Sequence, residues 1–363
     1  MTKNSSIISI VGARPNFVKL AAIHKKFPKR LEHRIIHTGQ HYDFEMSEIF
    51  FKDFDLPKPD FNLEVGPATR AAQTGKMIEK IELVLKKENP DLVLVYGDTN
   101  STFAGAFAAS ACNIKLAHVE SGLRSFDRRM PEETNRILTD NLSDLLFAPT
   151  KTSTINLKNE NNKGKILRCG DLSVEIVNET TSNLRRNMKG KRNKIDLEPK
   201  SYILFTMHRA ENTAHKDNLI SVIRSFEKLP DQDIVFPIHP RTKNVLQSHG
   251  LFERLNSCKN VKVIDPIGYP EFIDLLLNSK KVITDSGGVQ KEAYILSIPC
   301  VTIRENTEWV ETVAQDWNVL VGLNINKIVK YVNNWNPSKK QRPIFGKGNT
   351  SKIIKQEIEK LLK

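Results

Sequence analysis

A chain of 363 residues is too long for one core of ordinary size and suits two domains. With 39% hydrophobic and 27% charged residues it is not a disordered chain, and no run reaches the roughly 18–20 apolar residues that span a bilayer. The net charge of +13 is spread over many Lys–Glu neighbours without a long basic run, which points to a solvated basic surface with an anionic small-molecule site rather than to nucleic-acid binding.

Cys112, Cys169, Cys258 and Cys300 are far apart and form no C-x-x-C pair, so neither a zinc site nor a disulfide framework is expected. The first residues carry no long apolar segment with a small-residue cleavage site, and a cytoplasmic location is the expectation.

Short β-rich runs alternate with amphipathic stretches. The first set comprises IISIVG (7–12), HRIIHT (33–38), DLVLVYG (91–97), KLAHVE (115–120) and KILRCG (165–170). The second comprises YILFTM (202–207), DIVFPIH (233–239), VKVIDP (261–266), KVITDS (281–286) and PCVTIR (299–304). Several are near-continuous apolar runs, as parallel strands covered on both faces require. Stretches such as AQTGKMIEKIELVLKKENP between them read as crossover helices. The polar, basic segment RRNMKGKRNKIDLEPK (185–200) reads as a linker. The expected division is 1–185, 186–342 and a tail, 343–363, whose helix follows a Gly-broken turn and a Thr/Ser cap and crosses back onto the first lobe. The fold class is α/β, with two Rossmann-like doubly wound lobes.

The chemistry sits at strand ends. After the first strand comes GARPNFVKL, without G-x-G-x-x-G, so dinucleotide binding by the usual fingerprint is disfavoured. Arg14 and Lys19 stand instead near the start of the first helix, either as ordinary surface charges or as partners of an anion. DLVLVYGDTNST places Asp98 just past a buried strand, as a helix N-cap or as a site carboxylate. KLAHVES delivers His118 and Glu120 at the end of the next. Consecutive parallel strands bring their carboxyl ends to one edge, so Asp98 and Glu120 are plausible neighbours in a ligand crevice. In MPEETNR, Pro131 opens a helix and Glu132 and Glu133 complement its dipole. Its neighbours Arg128 and Arg129 are read as partners of Asp127 rather than as a site for a substrate carboxylate.

In the second half YILFTMHRAENT ends a strand with His208, Arg209 and Glu211. KVITDSGGVQKEA runs strand, Ser286-Gly287-Gly288, helix: either a glycine-tightened turn or a diphosphate site on free helix N–H groups, with Glu292 placed for ribose hydroxyls.

GARPNFVKLA, TGQHYD, GDTNSTFAGA, HVESGLRS, MPEETNR, HRAEN, TDSGGVQKEA and TEWVE, in this order over roughly residues 7–322, resemble the non-hydrolysing UDP-N-acetylglucosamine 2-epimerase family. The resemblance implies a GT-B fold whose lobes face a central cleft, and inversion of C2 of a UDP-linked 2-acetamido sugar without NAD or metal, in a homodimer. It implies Asp98, Glu120 and Glu132 as catalytic carboxylates and His208 as an active-site histidine beside the diphosphate. Arg14 and Lys19 match nucleotide-site cations, Ser286, Gly287, Gly288 and Glu292 match diphosphate and ribose contacts, and Phe272 matches a residue beside the uracil. The chain departs from the commoner bacterial form in reading GARPN, HRAEN and TEWVE for GTRPE, HRREN and TERPE. Trp309 thus replaces a phosphate-binding arginine, with Arg304 the nearest substitute. QHYDFEMS does not reproduce the allosteric-site signature, so substrate activation is not implied. Other variants resemble a branch that includes UDP-2,3-diacetamido-2,3-dideoxyglucuronate 2-epimerases, and a GT-B glycosyltransferase is a more distant alternative.

Overall fold

The apolar runs ending at Val11 and Tyr96 become neighbouring central strands of a parallel sheet in a computed structural model of the protein. The structure describes residues 5–28, 30–40, 51, 54, 56–187 and 197–363, without the side chains of Arg14, Asn187 and Ala210. Much of the 185–200 segment and of QHYDFEMS therefore lies outside the described residues. Two units emerge: Met1–Ile176 with Ile344–Lys363, and Val177–Pro343.

The first unit holds β1 (Ser6–Val11), α1 (Arg14–His24), β2 (Glu32–His37), β3 (Phe61–Asn62), α2 (Arg70–Glu88), β4 (Leu92–Tyr96), α3 (Asn100–Ala111), β5 (Leu116–Val119), α4 (Pro131–Leu142), β6 (Leu145–Ala148), α5 (Lys151–Asn159) and β7 (Lys165–Arg168). Helix α6 (Ser173–Asn187) follows, and the division between the units falls within it. The strands pair in parallel in the order β3-β2-β1-β4-β5-β6-β7.

Helix α2 shows why the pattern folds this way. Thr69 caps its start by accepting from the Ala72 amide (3.4 Å), and Met77, Ile81 and Leu85 recur every four residues on the buried face. Asn89 ends it in the left-handed conformation (φ 44°), donating to the Leu85 carbonyl (2.8 Å). Those side chains meet Ile8, Ile10, Val93 and Val95 in the core, each fully buried aliphatic contributing about 1.5–3 kcal/mol.

The C-terminal helix, Thr350–Leu361, belongs to this unit. Its N-cap is Asn349, not the expected Thr/Ser pair, because those two side chains are used for docking. Thr350 Oγ1 donates to the Cys169 carbonyl (3.0 Å), and the Ser351 amide donates to Glu175 (2.7 Å).

The second unit repeats the order. Its elements are β8 (Tyr202–Thr206), α7 (Ala210–Thr213), α8 (Lys216–Glu227), β9 (Asp233–Pro237), α9 (Pro240–Ser248), α10 (Phe252–Asn256), β10 (Val261–Ile264), α11 (Tyr269–Asn278), β11 (Lys281–Thr284), α12 (Gly287–Ile295), β12 (Cys300–Thr302), α13 (Val310–Ala314), β13 (Asn318–Leu320) and α14 (Ile325–Asn334). All strands are parallel, in the order β10-β9-β8-β11-β12-β13, with Phe205 packed edge-on against Phe226 and Phe236. Both units are therefore doubly wound α/β sheets, as the alternating pattern leads one to expect. In each, the chain reverses its winding direction beside the first strand, between β1 and β4 and between β8 and β11. Ligands of open α/β sheets bind outside the carboxyl ends of strands at such points. Among the described residues, no helix is long and apolar enough to cross a membrane.

Candidate active site

In the first unit, Gly97 and Asp98 follow β4 at the reversal point. Asp98 is not the N-cap of α3. Thr99 holds that place, its hydroxyl accepting from the Thr102 amide, which leaves the Asp98 carboxylate to other partners. Arg136, buried in α4, donates to Asp98 Oδ2 from Nε (3.0 Å) and Nη2 (2.6 Å) and to Glu133 Oε2 from Nη1 (2.8 Å). Asn135 Nδ2 donates to the Asp98 carbonyl (2.9 Å). The start of α4 is thereby docked on the end of β4.

Glu132 lies one turn before Arg136 on that helix, half-buried, and its Oε2 is buried with no hydrogen-bond partner. Glu133 is the structural member of the pair, 1% exposed. Its carboxylate accepts from the amides of Ser125 and Phe126 (2.9 Å each), from Ser125 Oγ (3.0 Å) and from Arg136. Burial opposes its charge, but these donors outweigh burial and hold the carboxyl below its ordinary range. Arg129 closes on Asp127 through Nε (2.8 Å) and Nη2 (2.7 Å), the pairing expected for that acid.

Glu120 follows β5 in the left-handed region (φ 74°), a conformation costly for a non-glycine residue and held here by the fold around it. Its amide donates to the Phe147 carbonyl (3.1 Å), and its carboxylate is ion-paired with Lys19 Nζ. Lys19 is therefore not at the start of α1 facing solvent; it is buried against Glu120. Gly97, at φ 67°, makes room for the pair: a Cβ there would lie 2.9 Å from Lys19 Nζ and 3.2 Å from Glu120 Oε2. Lys19 and Glu120 open onto a small pocket walled also by Pro149, Gly170 and Asp171. Asp98, Glu120 and Glu132 are thus tied to one sheet edge, through Gly97 on one side and α4 on the other. Arg14 opens α1 at the same edge, and its side chain lies outside the described residues.

In the second unit, His208 follows β8 and is 43% exposed at its side chain. Its backbone amide donates to both oxygens of Asp285 (3.2 Å each), and its ring stacks on His239 (5.9 Å). Asp285, fully buried after β11, also accepts from the Arg209 amide (3.0 Å) and Asn212 Nδ2 (3.1 Å). It fastens the HRAEN turn to the DSGG turn.

Ser286 is the N-cap of α12 but makes no side-chain cap hydrogen bond, and the first turn carries no acidic residue, so the helix N-terminus keeps its anion-attracting character. Gly288 is exposed, whereas Gly287 is buried and a Cβ there would overlap Glu308 Oε1. Glu292 sits half-buried in the second turn of α12. Phe272 is buried within α11.

Trp309, standing where an arginine was expected, is buried with its indole nitrogen 3.3 Å from the position of a Gly287 Cβ. Its ring faces Lys291 Nζ, 4.4 Å from the centroid. Arg304 is buried as well, donating to Glu308 (3.0 Å) and Asn306 (3.1 Å), and Glu308 is the side chain that a Gly287 Cβ would meet.

Sequence reasoning missed Arg136 and Asp285 as organisers of the two sites. Arg136 lies three residues after Glu133 and four after Glu132, a spacing that puts it within reach of either; Asp285 carries no signal beyond its place before SGG.

The family model described as UDP-N-acetylglucosamine 2-epimerase matches residues 24–359. A UDP-N-acetylglucosamine 2-epimerase homolog of Methanococcus maripaludis is 52% identical, covering 98% of this chain and 99% of its own length. A UDP-2,3-diacetamido-2,3-dideoxy-D-glucuronate 2-epimerase of Pseudomonas aeruginosa is 43% identical over the same shares of the two chains. The crystal structure of Methanocaldococcus jannaschii UDP-GlcNAc 2-epimerase in complex with UDP-GlcNAc and UDP superposes with a TM-score of 0.89 at 43% identity, covering 98% of this chain and 99% of that one. With a family match along most of its length and relatives this similar end to end, the chain belongs to the UDP-N-acetylglucosamine 2-epimerase family.

Proposed function

We propose that the protein interconverts UDP-N-acetylglucosamine and UDP-N-acetylmannosamine by inverting C2 of the sugar. The observation that carries this reading is the gathering of Asp98, Glu120 and Glu132 at one sheet edge in a chain of this family. The C2 proton has no adjacent carbonyl and is barely acidic. As the C1–O bond breaks, UDP leaves with the electron pair, positive charge develops at C1, and the proton becomes removable. A carboxylate takes that proton, and the C–H electrons form a C1=C2 double bond, giving a 2-acetamidoglucal and free UDP. Re-addition delivers a proton to the opposite face of C2 while a β-phosphate oxygen of UDP bonds to C1.

This scheme needs acid–base groups on two faces of C2 and a grip on detached UDP. Asp98, Glu120, Glu132 and His208 are the proposed reacting groups. Arg14, Lys19, His208, Phe272, Ser286, Gly287, Gly288 and Glu292 are the proposed UDP-binding set, with the α12 N-terminus receiving the diphosphate. The Glu132 oxygen that no donor occupies supports its place among the proton-transfer groups.

The second reading, a 3-acetamido uronate substrate, draws on the Pseudomonas relative. It would need a cation for the sugar carboxylate; Arg129 is engaged by Asp127, and Arg128 is the other arginine that could supply one. Each substrate is incubated with the protein alone. Formation of UDP-N-acetylmannosamine without an acceptor supports the proposal and excludes a pure glycosyltransferase; faster turnover of the uronate would sink it. We further propose a cytoplasmic homodimer. All four cysteines are free, which suits a reducing compartment. Leu83, Phe107 and Leu138 are exposed on helices α2, α3 and α4, and they offer an apolar face to a second copy.

A further inference from the structure

His118 takes no part in the scheme above, yet it is fully buried and both its ring nitrogens are engaged beneath the carboxylate site. Nε2 lies 2.7 Å from the carbonyl oxygen of Gly97, and Nδ1 lies 2.7 Å from Asp140 Oδ1. A carbonyl oxygen only accepts, so Nε2 must carry a proton. Asp140 Oδ2 already receives Arg124 Nη2 (2.8 Å) and the Gly122 amide (3.0 Å), donors that favour the ionised carboxylate, so Nδ1 must donate as well. Burial works against the charge on Asp140, but His118 and Arg124 outweigh it and hold the carboxyl below its ordinary range. The charged groups facing this position are Asp140, Arg124 and, through Arg124, Glu160 (2.6 Å), with the Lys19–Glu120 pair on the far side of Gly97.

We propose that His118 is a positioning residue, held as a doubly protonated imidazolium, that pins the Gly97 peptide and thereby sets Asp98 against the Lys19–Glu120 pair. Gly97 is the piece on which this turns. Its carbonyl is held by His118, a Cβ on it would crowd both Lys19 and Glu120, and the next residue is Asp98. Losing the His118 donor orphans a buried carbonyl and frees the turn that separates two proposed reacting carboxylates.

The inference rests on the assignment of Asp98 and Glu120 to the reaction, and its test separates the two. In protein labelled with ¹⁵N-histidine, the His118 ring, assigned through correlations to its own backbone, should show both nitrogens protonated at neutral pH. In Asp140→Asn the amide donates to Nδ1, the imidazole becomes neutral, and the Nε2–H bond to Gly97 survives; its spectrum should show one protonated nitrogen. His118→Phe, which keeps a ring but has no donor, should lower kcat by about 10- to 100-fold with KM for the UDP-sugar little changed, the signature of misplaced reacting groups rather than lost binding. Asp140→Asn, which keeps the pin, should lose less. A neutral His118 in the wild type, a charged one in Asp140→Asn, or wild-type kcat in His118→Phe would each overturn the proposal. Should His118→Phe not fold, the spectra of the other two proteins decide. A wild-type protein inactive on UDP-N-acetylglucosamine would remove the functional reading instead, and the ring's charge state would still be read.

Discussion

Arg136→Met removes the guanidinium that joins Asp98 to Glu133, and the structure sets the size of the effect. Arg136 and Glu133 are 2% and 1% exposed, so truncation leaves a buried carboxylate short of its cationic partner, a loss of roughly 3–5 kcal/mol where nothing compensates. Glu133 keeps three other donors, from Ser125 and Phe126, which places the cost at the lower end. The Asp98 side chain is 31% exposed, so water replaces much of its share, worth less than about 1 kcal/mol. About 3 kcal/mol in all corresponds to about two decades in an opening equilibrium. Tryptophan fluorescence would not see it, because Trp309, Trp317 and Trp335 all lie in the second unit. The fitting assay is amide hydrogen exchange, with protection in α4 and β4 expected to fall about 100-fold at neutral pH. The Glu133 carboxyl is held below its ordinary range, so the stability it contributes is present above the unfolded-state value and is lost as pH falls through the lower folded-state value. Wild type and variant should therefore converge in acid. Turnover should also fall, by about 100-fold, as Asp98 loses its fork. A protection change below tenfold at neutral pH, or a gap that widens in acid, would refute the reasoning.

Two further perturbations probe the second unit. Gly287→Ala should weaken UDP binding by at least about tenfold in calorimetry, because its Cβ would overlap a buried Glu308 that Arg304 holds in place. Gly288→Ala, whose Cβ would meet nothing nearer than Ser286 Oγ at 3.7 Å, should leave stability unchanged, so any affinity it loses reports contact with the diphosphate. Lys281→Met should lower the stability of the second unit by about 2–3 kcal/mol in urea unfolding followed by tryptophan fluorescence, since the buried ammonium donates to the carbonyls of Tyr331, Val332 and Trp335 at the end of α14. Burial pushes that ammonium down to about 8, so between that pH and the ordinary lysine value the unfolded chain binds more protons. Stability of the wild type should therefore rise with pH across that window, and the rise should vanish in the variant.

The ten apolar runs all reappear as strands, because parallel strands buried on both faces leave a continuous hydrophobic signal. Of the strands left unseen, β3 spans two residues, too short for any period to register, whereas β6 and β13, at four and three residues, are no shorter than legible strands such as β5 and β12. Strand order made Asp98 and Glu120 legible as neighbours, since both follow adjacent parallel strands. Local spacing could not show that Lys19 reaches Glu120 across a hundred residues, or that Arg136 rather than solvent holds Asp98. Capping chemistry misled at the C-terminal helix and left Asp98 open, for one reason. Thr99 and Asn349 take the cap positions, which frees Asp98 and Thr350 for tertiary partners that the local sequence does not specify.

Breaking and remaking of the C2–H bond is tested most directly by following UDP-N-acetylglucosamine in deuterium oxide by proton NMR with no acceptor present. UDP-N-acetylmannosamine should appear carrying solvent deuterium at C2, with deuterium also entering C2 of the recovered substrate. Product formed with its original C2 proton, or no product until an acceptor is added, would contradict the elimination chemistry.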